Sequence, residues 1–104
     1  MSDGDNPQDP EHRRQAERVA VKAEVHLRKS GYHRTSVDLL DLSNQGCRVE
    51  LPERVGLGEI VWVTFPGLQP IEAKVVWVAD WLAGLRFTNP IYPSVFDALV
   101  ARMK

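Results

Sequence analysis

The sequence predicts an all-β domain of six antiparallel strands, arranged as a barrel or sandwich and followed by one C-terminal helix. Three observations carry this reading. Apolar residues alternate with polar ones in several short runs, the period of half-buried strands. Gly, Pro or Asn/Asp signals bound five of the six runs at short spacing, as antiparallel connections require. The period then changes after Pro90 and Pro93, where apolar residues recur at helical intervals.

The first strand is predicted over Val19 to Leu27, with Val, Val, Ala, Val and Leu at odd positions and Ala, Lys, Glu and His between them. Ser30-Gly31 supplies a turn into a second strand, Tyr32 to Leu42, with Val37 and Leu39 directed inward. In the third, Cys47, Val49 and Leu51 alternate with Arg48 and Glu50. Pro52 to Gly58 is a loop, Glu59 to Phe65 a fourth strand, and Pro66-Gly67 a turn. Pro70 to Val78 is the fifth, with Ile71, Ala73, Val75 and Trp77 on one face. Trp81 to Thr88 is the sixth. Trp77 and Phe87 are expected in the core, because a barrel this small draws much of its buried area from aromatic rings. Trp62 is expected to be partly buried, with a partner-facing role as the alternative. In the last segment Val95, Phe96, Leu99, Val100 and Met103 form an apolar stripe, with Ser94 as cap. That stripe should close one mouth of the barrel or lie on its side.

At 104 residues, 43% hydrophobic and 26% charged, the chain has material for one globular core. The domain is placed at 13–104, after an acidic arm over 1–12 that lacks the apolar surface to offset ordering entropy and is expected to be flexible. No apolar run has the roughly 18–20 residues of a membrane helix, so no membrane insertion is expected. The polar, acidic start does not fit a secretory signal, and the single Cys47 suits a reducing compartment, which together predict a cytoplasmic protein. Cys47 alone makes neither an internal disulfide nor a thiolate metal site, and its strand position is that of a small core residue.

With 13 Lys+Arg against 14 Asp+Glu, the whole chain gives no reason to expect DNA or RNA binding. The distribution is uneven, however. Residues 1–11 carry Asp3, Asp5, Asp9 and Glu11 with no Lys or Arg, whereas residues 12–34 carry seven bases against Glu17 and Glu24. Catalysis finds little support: His12, His26 and His33 match no ligand spacing, Ser36, Ser43 and Ser94 lack a nucleophile elbow, and there is no phosphate loop. The protein is read as a non-enzyme with no metal and no cofactor.

Two short patterns remain. Arg13, Arg14 and Arg18 place three guanidiniums just before the first strand, each a planar fork for phosphate oxygens or the O6/N7 edge of guanine. Alone, they read more simply as a solvated turn paired through Glu17. Asp41-Leu42-Ser43-Asn44-Gln45-Gly46 is rich in turn formers and reads first as a tight turn between strands two and three. In a binding role, Asp41 would accept from guanine N–H groups, Ser43 would offer a hydroxyl, and Gly46 would admit close backbone approach. Arg48, outward and just beyond Gly46, is a further candidate contact.

Together, Arg-x-x-x-Arg before the first strand and Asp-x-Ser-x-x-Gly between the second and third resemble the PilZ family, over roughly residues 13–103. Gly84-Leu85-Arg86-Phe87 is similar to that family's glycine-x-x-phenylalanine in the last strand. The resemblance implies a six-stranded antiparallel β-barrel with a C-terminal α-helix and a bacterial receptor for cyclic di-GMP. It implies that Arg14 and Arg18 grip guanine and phosphate, and that Asp41, Ser43 and Gly46 bind from the opposing barrel surface. Arg13 matches a position associated with a stacked pair of ligands, hence two molecules per chain. It also implies a downstream protein partner, which reads an arm ordered by ligand. The competing expectations are a small barrel adaptor that docks a protein without useful nucleotide affinity, and a barrel that tracks single-stranded nucleic acid.

Overall fold

The computed structural model describes residues 18–51 and 54–103. The arm expected over 1–12, with Arg13 and Arg14, lies outside the described residues. Six strands, β1 (Val19–Lys29), β2 (Thr35–Leu42), β3 (Gly46–Glu50), β4 (Ile60–Thr64), β5 (Ile71–Ala79) and β6 (Leu82–Phe87), precede a helix, α1 (Pro93–Met103). The strands close in the order β1-β2-β3-β6-β5-β4, every neighbouring pair antiparallel. Of the two arrangements compatible with the strand pattern, the barrel is the one adopted. Closure leaves no edge for a foreign strand to pair with.

Alternation builds the core. Val25 and Leu27, Val37 and Leu39, Cys47 and Val49, Val61 and Val63, Ala73 and Val75, and Ala83, Leu85 and Phe87 all point inward and are buried. Phe65 meets Phe87 edge-on, their ring centroids 6.0 Å apart, a favoured aromatic geometry. The helix adds Leu99 and Val100 to this core, packs against β1, and is tied to the β4–β5 turn by Arg102 donating to the Pro66 carbonyl.

Four local expectations are corrected. The second strand starts at Thr35, and Tyr32 is an exposed turn residue with Lys29 over its ring. Ser94 is not the helix cap: the amide of Phe96 donates to the carbonyl of Tyr92, which makes Tyr92 the cap and Pro93 the first helical residue. Proline suits that position because its missing N–H would have no intrahelical acceptor. Trp81 belongs to a turn, with φ of 51° at Asp80 and 69° at Trp81, the two successive positive values that a type I′ hairpin requires. Trp77 is not in the core. Val75 pairs with Leu85 but Trp77 pairs with Gly84, so β5 holds one extra residue there. That bulge reverses the inside–outside alternation and delivers Trp77 to the outer surface, 38% exposed.

Cys47 is buried, as expected. Burial, followed by the nearby Asp41 charge and opposed by Arg18, pushes its thiol from 9.0 up to about 12. An unfolded thiol loses its proton near 9.0 while the folded one keeps it, so stability falls as pH rises through that window. Replacing Cys47 with Ala is expected to flatten the alkaline fall in melting temperature, measured from pH 8 to 11 against wild type. An equal slope in the two proteins would assign the fall to other groups.

Candidate functional site

The outer surface of β1, β2, β3, β6 and β5 carries one continuous row. Ala20 pairs with Asp41, Asp41 with Arg48, Arg48 with Gly84, and Gly84 with Trp77. Two further bulges set this row. β2 advances from Leu39 to Asp41 while β3 advances by one residue, and β1 is irregular between Ala20 and Ala23. Simple alternation would place Asp41 on the same inward face as Leu39. The bulge gives the inward position to Leu42, which is fully buried, and turns Asp41 outward beside Arg48.

Asp41 is held between two arginines. Its Oδ1 accepts from Arg18 Nη1 at 2.9 Å, and its Oδ2 lies 3.0 Å from Arg48 Nη2. The guanidiniums cover the carboxylate, whose side chain is 11% exposed, while Arg18 and Arg48 themselves stay about half exposed at 51% and 44%. An ion pair of this kind adds little stability in water. Its effect is positional: Arg18, at the point where the chain enters the barrel, is drawn onto the β2–β3 surface 23 residues away.

The Asp41–Gly46 segment is a turn and also a rigid floor. Ser43 Oγ accepts from the amides of Gln45 and Gly46, each at 3.2 Å, and the Ser43 amide donates to the Gly46 carbonyl at 2.8 Å. Ser43 is thus buried and spent on its own backbone, leaving it the task of shaping the turn. The turn is also bonded to the strand-six exit: Phe87 N donates to Gln45 O and Ile91 N to Asn44 O, both at 2.8 Å. Gly46 is required by close packing against the adjacent strand, since its φ is not positive. A Cβ there would overlap the carbonyl oxygen of Leu85 on the adjacent strand. Gly84 is bare for the same kind of reason, since a Cβ there would strike the indole nitrogen of Trp77, which lies across it.

These features meet in an open groove of about 240 Å³ lined by Arg18, Ser43, Gly46, Trp77, Gly84 and Arg86, among others. The sequence pointed to Arg18, Asp41, Ser43 and Gly46, and the fold brings all four together. Arg48 joins them through Asp41. Trp77 and Arg86 were not anticipated as site residues. Arg86 could have been found from its place on the outward face of β6, two residues from Gly84 and opposite Gly46. Trp77 carried no such signal, because its alternation read as core. Elsewhere on the outer surface, the Arg28 guanidinium lies 4.7 Å from the ring centre of the partly buried Trp62, which accounts for that residue without a ligand. Among the described residues, no three His, Cys, Asp or Glu side chains cluster as metal ligands.

Chemically, the groove offers planar guanidinium forks, an indole face and a floor without side chains. That set suits a flat aromatic ring bearing a phosphate. Comparison with known proteins agrees in fold. Two solved structures are similar. One is the PilZ domain of CeSA from a cellulose synthesizing bacterium, at 17% identity and TM-score 0.58, covering 83% of this chain and 92% of that one. The other is the Borreliella burgdorferi PlzA protein in complex with c-di-GMP, at 16% identity and TM-score 0.59. This chain is covered over 85% of its length there but spans only 40% of that protein. No curated protein matches the sequence. The PilZ domain profile matches residues 12–102, nearly the whole chain, and the chain therefore belongs to the PilZ domain family.

Proposed function

We propose that this protein is a non-enzymatic receptor for cyclic di-GMP, which it holds in the groove between Arg18 and Trp77. The observation that carries the reading is the convergence of Arg18, Asp41, Gly46 and Trp77 on one surface from four different strands or strand ends. A PilZ relative of the same fold in complex with c-di-GMP supports it.

In this mechanism a guanine lies over the Gly46–Gly84 floor against the Trp77 indole. Arg18 keeps one N–H on Asp41 and turns the remainder of its fork toward base or phosphate. Asp41 works twice, as the anchor of Arg18 and Arg48 and, through its remaining lone pairs, as an acceptor for guanine N–H donors. The open groove is smaller than the roughly 300–1,000 Å³ of pockets that enclose drug-sized ligands. Much of the dinucleotide therefore stands above it, where Arg13 and Arg14, five and four residues before Arg18, close over it. The ordering of that arm is the signal, and a downstream protein partner reads the surface it creates. Amide spectra recorded during a titration with cyclic di-GMP test the placement. Shifts are expected at Gly46, Gly84 and the Trp77 indole, and shifts confined to another face would refute it.

Replacing Asp41 with Ala removes the anchor of both arginines and the acceptor together. Binding is expected to fall at least tenfold, since hydrogen bonds to charged groups contribute about 1.5–3 kcal/mol each. Asp41→Asn fails as well, because its NH₂ faces other donors and the charge between Arg18 and Arg48 is lost. Unchanged affinity in Asp41→Ala, by titration calorimetry, would remove Asp41 from the site.

The stoichiometry we propose is two ligands per chain. One cyclic di-GMP carries two negative charges and a stacked pair four, so holding the pair calls for additional cations nearby. Arg13 supplies one beside Arg14 and Arg18, and a guanidinium can stack on an outer guanine while facing phosphate. Arg13→Leu is expected to move the ratio from two toward one while binding persists. Saturation of the wild type at one ligand would exclude the stacked pair.

A further inference from the structure

The groove has a strong charge asymmetry that its proposed ligand does not exhaust. Arg18 and Arg86 line it, Arg48 joins Arg18 through their shared partner Asp41, and Lys74 follows on β5 as the direct cross-strand neighbour of Arg86. Against these four cations stand Asp41, already paired with two of them, and Glu72, two residues from Lys74 on the same face of β5 and accepting from the Thr88 hydroxyl. Asp38 and Glu50, which pair with each other across β2 and β3, lie on the side of Arg48 away from Gly46.

The same chain carries the complementary charge. Asp3, Asp5, Asp9 and Glu11 precede the groove with no intervening Lys or Arg before Arg13. Residues 2–11 hold no large apolar side chain, so charge is what this segment has to offer a surface. The tether is short. Six residues lie between Glu11 and Arg18, a reach of at most about 25 Å over seven steps, and Arg18 itself lines the groove. A segment tethered this closely acts at an effective concentration on the order of millimolar.

We propose that residues 3–11 dock on the Arg18–Arg48–Arg86 surface as an internal anion, occupying it when no ligand is bound and competing with any anionic ligand. The competition with cyclic di-GMP rests on the function proposed above; the docking itself does not. The internal anion sets a threshold: the messenger must displace four carboxylates before the arm can close over it. Because the segment and the ligand share only charge, the competition weakens with salt, as attractions between exposed groups do.

Two measurements on the full chain test this. In the first, Asn6→Cys is spin-labelled; buried Cys47, its thiol pushed up to about 12, stays unreactive. Without ligand, broadening is expected to concentrate on Gly46, Gly84 and Arg86. It should disperse when the four acids are neutralised in the same protein (D3N, D5N, D9N, E11Q), which leaves the tether length unchanged. Broadening that is the same in both proteins, or centred on another face or on Arg13 and Arg14 alone, overturns the docking. In the second, the neutralised protein without the label is expected to bind cyclic di-GMP roughly three- to tenfold more tightly than wild type at low salt. That ratio should approach one at about 0.5 M salt. Equal affinities at low salt overturn the competition. If neither protein binds cyclic di-GMP, the receptor reading fails, and the spin-label result still decides the docking.

Discussion

Arg18→Ala is expected to weaken cyclic di-GMP binding by roughly tenfold to over a hundredfold while leaving the barrel folded. The binding loss follows from about 1.5–3 kcal/mol for hydrogen bonds to a charged partner, where each 1.4 kcal/mol is about tenfold. The stability change should be within about 1 kcal/mol, because the side chain is half exposed and its ion pair faces water. Asp41 also keeps Arg48, so no buried charge is abandoned. Arg14→Ala should behave likewise. Calorimetric titration beside thermal melts separates the two effects. A melting temperature that falls in step with affinity would make these arginines structural.

Gly46→Val should have the opposite signature, with folding damaged first and binding lost as a consequence. The obstacle is the Leu85 carbonyl oxygen, a backbone atom fixed by the β3–β6 ladder, so a Cβ is accommodated only by spreading two paired strands. Overpacking typically costs about 1–3 kcal/mol, and a backbone neighbour puts this site at the upper end. For a domain of this size, about 3 kcal/mol corresponds to a fall in melting temperature of roughly 12–24 °C. Gly56→Ala is the control, since a Cβ there makes only an ordinary 3.6 Å contact with a Glu59 oxygen. A Gly46→Val protein as stable as the Gly56→Ala protein would show that the strands part easily.

The pattern of these expectations reflects what a sequence can carry. Strand alternation names Val25, Leu39, Val49, Val63 and Leu85 as core because each is set by its immediate neighbours. Arg18, Asp41, Ser43 and Gly46 were legible through their spacing, which is equally local. The bulges were not. Whether β5 holds an extra residue at Val76 depends on how β6 pairs with it, and that is a property of two strands together. Trp77 therefore read as core, although it lines the groove beside Arg18 and Gly46. A bulge of the same kind turns Asp41 outward, where alternation alone would have sent it inside with Leu39; its motif spacing, not its alternation, made it legible. Gly46 was legible as a point of close backbone approach, but that the neighbour is strand β6 is again a property of two strands together. The hairpin at Asp80-Trp81 shows the converse limit. A bulky tryptophan in a left-handed conformation contradicts local preference, and pairing of Ala79 with Leu82 imposes it.

The groove between Arg18 and Trp77 is the proposed cyclic di-GMP site. Isothermal titration of the full chain with cyclic di-GMP tests that most directly, run in parallel on wild type and Arg18→Ala. The expected result is a saturable isotherm for wild type and a strongly weakened one for the variant, both proteins melting at similar temperatures. Absence of saturable binding by folded wild-type protein would contradict it, and would leave a barrel that docks a protein without nucleotide affinity.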